Sequence, residues 1–160
     1  MLALLQRVSQ AQVDVAGERL AAIGRGLLVF YCAERGDDAA DCERLLGRVL
    51  RLRCFPDEAG RMNRSLVDID GELLVVPQFT LAADTSSGNR PGFSAAASPD
   101  EGERLFGRFF ALARETHRRV QAGRFGADMQ VSLVNDGPVT LWLRSRPRSA
   151  GGRTTNPTLA

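Results

Sequence analysis

The chain has 160 residues, 44% hydrophobic and 25% charged, enough to bury one core within the size range of a single domain. All 21 basic residues are arginine, which excludes Schiff-base catalysis and a P-loop lysine. One histidine excludes a histidine-rich metal site and leaves one base for any Ser-His-Asp or Cys-His arrangement. The net charge of +2 is uneven: residues 141–160 hold four arginines and no acid, leaving 17 arginines against 19 acids, or −2, in residues 1–140. Attraction to a polyanion is therefore local rather than global.

The opening "MLALLQRVSQ" has too few apolar residues before Gln6 and Arg7 for a signal-peptide core. No stretch approaches a membrane span, so a soluble, cytoplasmic protein with no membrane partner is expected. "LALLQRVSQAQVDVAG" alternates as two short strands, and "GRGLLVFYCA" is the continuous apolar run of a buried strand. From Asp37, "DDAADCERLLGRVLRLRCF" carries acids in its first turn and arginines towards its end, with Leu45, Leu46, Val49 and Leu50 at helical spacing. Cys32, Cys42 and Cys54 fit neither a disulfide framework nor a zinc spacing and read as buried, reduced thiols.

"SLVDIDGELLVVPQFTL" reads as two strands joined at Asp70-Gly71. Gln78 and Thr80 then share one face of an extended segment and Phe79 and Leu81 the other. Residues 84–97 form a long loop. Ser98 as N-cap, Pro99 at the first helical position and Glu101 completing a capping box start a second helix. Leu105, Phe106, Phe109, Phe110 and Ala113 form its apolar face, and Gly123 is its expected stop. His117, among charged helix residues, reads as a solvated surface histidine. The last strands cover 128–134 and 139–144, on either side of an Asp136-Gly137 turn that reads as a hairpin interrupted by Pro138. The tail over 145–160 has no periodicity and is expected to be disordered. No internal repeat is visible. The whole reads as an α+β domain over 1–144, with antiparallel and mixed strands forming a curved sheet or partial barrel and two main helices packed on it.

Three stretches look unlike plain core: "VVPQFTLAAD", "GNRPGFS" and "VNDGPVT". Thr80 is the best-placed hydroxyl for a side-chain nucleophile, but no histidine neighbours it in any motif and no G-x-S-x-G elbow exists.

The marks "LLQRVSQAQVDV", "GLLV", "RMNRSLVDIDGELLVVPQFTLAAD", "RPGFSAAASPD" and "GRFGADMQVSLVNDGPVT", in this order, resemble the D-aminoacyl-tRNA deacylases of the type found in bacteria and most eukaryotes, from Met1 to about Leu143. The resemblance implies a homodimeric enzyme, without cofactor or metal, that cleaves the ester between a D-amino acid, or glycine, and the terminal ribose of tRNA. It implies a cis Gly137-Pro138 peptide that enters the partner subunit's active site. Backbone groups of Gln78, Phe79 and Thr80 would hold the terminal adenosine and activate the ester carbonyl. Met129 and Phe125 would line the pocket, Arg7 would support it, and Asn135 belongs to the same substrate-binding set. Catalysis would draw on the tRNA 2′-hydroxyl rather than on a side-chain nucleophile.

Pro77 departs from the family, which usually has serine there, so a role needing that hydroxyl or N–H is lost. Alanine follows "GFS" where the family often has a basic residue, leaving Arg90 for phosphate contact from that loop. Two other functions remain open: a non-catalytic nucleic-acid-binding adaptor on the same scaffold, and a threonine-nucleophile esterase.

Overall fold

The computed structural model describes residues 1–145. The expected tail lies outside the described residues apart from Ser145, whose N–H donates to Met1 O. The first strand, β1, is a single element over Leu2–Val15 rather than two short ones. Its far half turns at Ala16-Gly17 into β2 (Glu18–Ile23), and its near half pairs antiparallel with β3 (Gly26–Cys32). One long strand replaces two because β3 leaves at Val8 and β2 takes over at Ala11, so the same edge stays paired while the strand bends.

Helix α1 (Ala39–Arg51) follows, capped by Asp38, whose carboxylate accepts from Asp41 N at 2.9 Å while the Asp41 carboxylate accepts from Asp38 N at 3.2 Å. A small hairpin of β4 (Phe55–Pro56) and β5 (Met62–Arg64) comes next. Residues 66–69, expected as strand, instead form a turn. Ser65 and Asp68 hold it, since the Asp68 carboxylate accepts from both the N–H and the hydroxyl of Ser65, a local alternative to a ladder.

β6 (Glu72–Pro77) runs parallel to β3. Its approach explains Gly26, where an added Cβ would stand 1.8 Å from Glu72 O. A 3-10 turn over Phe79–Ala82 then replaces the expected extended continuation. Gln78 N donates to Tyr31 O, the last sheet bond, and Leu81 N folds back to Gln78 O.

Helix α2 (Pro99–Thr116) starts at Ser98 as read, but its capping box is half made. Ser98 Oγ accepts from Glu101 N, while the Glu101 carboxylate turns to Arg104. The helix ends at Thr116, not at Gly123, because β7 (Val120–Ala122) must pair with β6. His117 caps that end and is buried, contrary to the surface reading. Its Nε2 lies 2.7 Å from Gly71 O and so donates to it.

The largest departure is at the C-terminus. The expected hairpin over 128–144 is one strand, β8 (Gln130–Arg144), paired with β1 from Asp14 to Leu2. Val8 pairs with Asn135 and Gln6 with Thr140, so residues 136–139 have no register partner and bulge outward. Asp-Gly-Pro here makes a bulge, not a reversal.

The sheet order is β2-β1-β3-β6-β7, with β8 on the other edge of β1. The bend in β1 and the bulge in β8 curl this sheet towards a barrel. One core, including Leu5, Val29, Tyr31, Leu45, Val49, Leu73 and Phe109, lies between the sheet and the two helices. A second, including Val8, Val13, Ile23, Leu28, Leu74 and Val76, lies on the opposite face, with Val131 and Leu133 packed against it. Alternate residues of β3 and β6 serve the two cores, which is why both strands read as continuous apolar runs. Cys32, Cys42 and Cys54 are all free and buried.

Candidate functional site

At the C-terminal end of β6, Gln78, Phe79 and Thr80 leave the sheet and enter the 3-10 turn. Phe79 and Thr80 are exposed and Gln78 is half-buried. Gln78 Nε2 donates to Thr80 Oγ1, so these two side chains meet through a tight turn rather than by strand alternation. A 3-10 turn leaves its first two N–H groups, here those of Phe79 and Thr80, without a partner inside the turn. The buried Cys32 Sγ stands 3.6 Å from Phe79 O. Burial pushes that thiol up to about 11, so it stays protonated and inert near neutrality.

Met129 and Phe125 come to the same end. The Gly123 Cα faces Met129 Sδ and Pro77 Cδ so closely that an added Cβ would lie 2.8 and 3.4 Å from them. Arg124 N donates to Met129 Sδ at 3.4 Å. Phe125 packs on Phe106 of α2, with ring centroids 6.2 Å apart. Pro77, which cannot donate, ends the strand, and Gly123 N donates to Val75 O just before it.

Arg7, Asn135, Gly137 and Pro138 gather elsewhere. Arg7 Nε donates to Asp136 O at 2.9 Å and Nη1 to Cys54 O at 2.7 Å, and Nε also lies 3.2 Å from the Asp136 carboxylate. Asn135 spans the bulge: Oδ1 accepts from Val139 N at 2.8 Å and Nδ2 donates to Thr140 Oγ1 at 3.0 Å. Thus braced at both ends, Gly137 and Pro138 are exposed. Their peptide bond is cis, and Gly137 has φ 140°, a conformation that favours glycine.

These two groups do not meet within one chain. Arg7 pairs with Leu27 and Leu2 with Cys32, so the Gly137 bulge lies five residues, on the order of 17 Å, along the sheet from the Cys32–Phe79 end. His117 is also remote from Thr80, because it binds Gly71 at the opposite end of β6. The sequence reading missed Cys54, Asp136 and Thr140 as braces of the bulge. A backbone acceptor such as Cys54 O leaves no side-chain signature, whereas the acid before Gly-Pro was visible without a stated role.

The class defined here is a helix-covered, curled α+β sheet with main-chain groups, aromatic rings and a thioether at its candidate site. Among the described residues there is no group of three or more His, Cys, Asp or Glu suited to a metal, and no helix long and apolar enough to cross a membrane.

The chain belongs to the family described as D-Tyr-tRNA(Tyr) deacylase, whose family model matches residues 4–144. It is 60% identical over 147 residues to the D-aminoacyl-tRNA deacylase of Paracidovorax citrulli (strain AAC00-1), covering 92% of this chain and 95% of that protein. It is 62% identical over 147 residues to the protein of the same name from Aromatoleum aromaticum (strain DSM 19018 / LMG 30748 / EbN1), covering 92% and 97%. The solved structure of a protein named c-Myc DNA Unwinding Element Binding Protein superposes with a TM-score of 0.88 at 39% identity, covering 92% of this chain and all of that one. A second, a probable eukaryotic D-amino acid tRNA deacylase, shares the fold with a TM-score of 0.77 at 20% identity, covering 89% and 97%.

Proposed function

We propose that this chain hydrolyses the ester of D-aminoacyl-tRNA, releasing the free D-amino acid and tRNA, and that it accepts glycyl-tRNA mischarged on tRNA-Ala. Family membership over residues 4–144 carries this reading. It works in the cytoplasm as a homodimer in translation quality control.

The site geometry suits a reaction in which protein side chains attack nothing. Thr80 has a hydroxyl but no base beside it, since His117 is committed to Gly71 O. The main-chain N–H groups of Phe79 and Thr80 stabilise negative charge as it develops on the ester oxygen. The 2′-hydroxyl of the terminal ribose positions and activates the attacking water. Met129 and Phe125 wall the adenosine pocket.

Chirality is read by the carbonyl oxygens of Gly137 and Pro138, presented by one subunit to the site of the other. An α-ammonium needs acceptors, and fixed acceptors leave one direction open to the side chain. An L side chain meets the pocket wall, a D side chain points out, and glycine has nothing to reject.

The test is deacylation of matched D- and L-tyrosyl-tRNA by the native protein and by Thr80→Ala. The expected outcome is hydrolysis of the D ester alone, with Thr80→Ala retaining kcat within about ten-fold, whereas loss of a true nucleophile costs on the order of 10⁴-fold or more. A collapse of that size would establish the threonine-nucleophile reading instead. A non-catalytic nucleic-acid adaptor is the second reading, favoured by the 39% identical neighbour, which is named as a DNA-unwinding-element binding protein. Binding of tRNA without turnover of either ester would decide for it.

A further inference from the structure

Beside the 3-10 turn, two aromatic rings face solvent together. Phe79 is 56% and Phe93 37% exposed, with centroids 5.0 Å apart and planes 68° apart. Large rings are ordinarily drawn into a core, and a core is close by: Leu2, Cys32, Ala82 and Ala96 form a buried cluster, and Cys32 Sγ stands 3.6 Å from Phe79 O. The backbone that carries Phe93 is fixed. Asp84 and Gly92 exchange both main-chain hydrogen bonds, at 2.7 and 2.9 Å, Ala96 N donates to Phe93 O, and Ala97 N donates to Ala33 O. An edge-to-face pair on a fixed frame, open on its outer side, is a stacking surface.

Arg90 stands in the loop closed by the Asp84–Gly92 pair, three residues before Phe93. It is exposed and takes part in none of the ion pairs found among the described residues. The loop's own acid, Asp84, is held below the usual carboxylate range by hydrogen bonding from Ser86 and has turned to its own backbone. Stacking rings with an exposed cation three residues away on the loop that carries Phe93 offer what single-stranded nucleic acid uses: a π-face for a base and a charge for its phosphate.

We propose that Phe93, paired with Phe79 and assisted by Arg90, forms a subsite for a nucleobase of the single-stranded 3′ end, one that precedes the terminal adenosine. This rests on the aminoacyl-tRNA reading above and adds a position to it, distinct from the Met129–Phe125 wall. The shelf discriminates between a substrate that is only an esterified nucleoside and one that carries the RNA strand behind it.

The experiment compares kcat/KM for D-tyrosyl-adenosine and for a D-tyrosylated RNA minihelix ending in CCA, using the native protein, Phe93→Ala, Phe93→Tyr and Arg90→Ala. The expected result is that Phe93→Ala lowers the preference for the minihelix about ten-fold through KM, in keeping with one lost base stack. Phe93→Tyr should restore the preference, and Arg90→Ala should flatten its salt dependence. Equal losses on both substrates, no loss on either, or dissociation of the Phe93→Ala dimer at assay concentration would each overturn the subsite. Should the native protein hydrolyse neither ester, the enzymatic reading fails separately. The shelf is then judged by binding of the uncharged minihelix with and without its single-stranded end: tighter binding of the intact form, lost in Phe93→Ala, supports it, and equal binding removes it.

Discussion

A single guanidinium joins three segments far apart in sequence. Arg7 on β1 holds Asp136 O in the β8 bulge and Cys54 O before β4, so its two nitrogens fix the bulge against the β4–β5 hairpin. The planar fork matters because two different nitrogens, Nε and Nη1, each serve one carbonyl, and a single ammonium does not reproduce that spacing of donors. If Gly137 and Pro138 present acceptors to the substrate, their placement depends on this brace. Arg7→Ala is therefore expected to lower kcat/KM for D-aminoacyl-tRNA by about ten- to a hundred-fold, the scale of a misplacement near 1 Å. Arg7→Lys should recover little of it. Steady-state kinetics beside far-ultraviolet circular dichroism checks this, and full activity in Arg7→Ala would show that the bulge keeps its place without the Arg7 brace.

At the scale of elements, the two helices begin with different completeness. Asp38 and Asp41 satisfy each other's backbone donors, whereas Ser98 makes one long contact of 3.4 Å and Glu101 serves Arg104. Asp38→Ala should cost about 1–2 kcal/mol and Ser98→Ala about 0.5 kcal/mol, the two ends of the usual range for caps. Urea unfolding of the two variants checks the order, and equal midpoints would contradict it. Both helices were legible in the sequence because a cap followed by apolar residues at helical spacing is local information. The continuous β8 was not. Residues 130–134 and 140–144 each alternate, and Asp-Gly between them imitates a reversal; only the partner strand β1, more than a hundred residues away, keeps the chain straight. The same cause hid the burial of His117, whose acceptor is Gly71, and the turn at Phe79, which forms because the sheet bond from Gln78 N to Tyr31 O is the last one available. Gln78, Phe79, Gly137 and Pro138 were named through the family motifs, which also implied that the last two serve the partner subunit's site; the distance between the two groups along one sheet comes only from the strand register.

That separation sets the requirement on the whole molecule. The Phe79 end and the Gly137 bulge lie at opposite ends of β3 in one chain, so under the proposed homodimer a site in which the two touch would draw them from two copies, most simply about a two-fold axis. Val134 and Trp142, on either side of the bulge in β8, are both exposed, which gives a second copy apolar surface to cover. The decisive prediction is complementation. Gly137→Val spoils the bulge but leaves the Phe79 end intact, because the new side chain meets Val139 and Arg7. Met129→Arg spoils the wall beside Pro77 but leaves the bulge intact. Each variant alone should be inactive. Co-expressed in equal amounts, half of the dimers are hybrids and each hybrid carries one site with both halves sound, so activity should return to about a quarter of native. If each chain built its site alone, the mixture would stay as inactive as its parts. Recovery of activity with hybrid dimers isolated by two different affinity tags would establish that the two halves belong to different subunits.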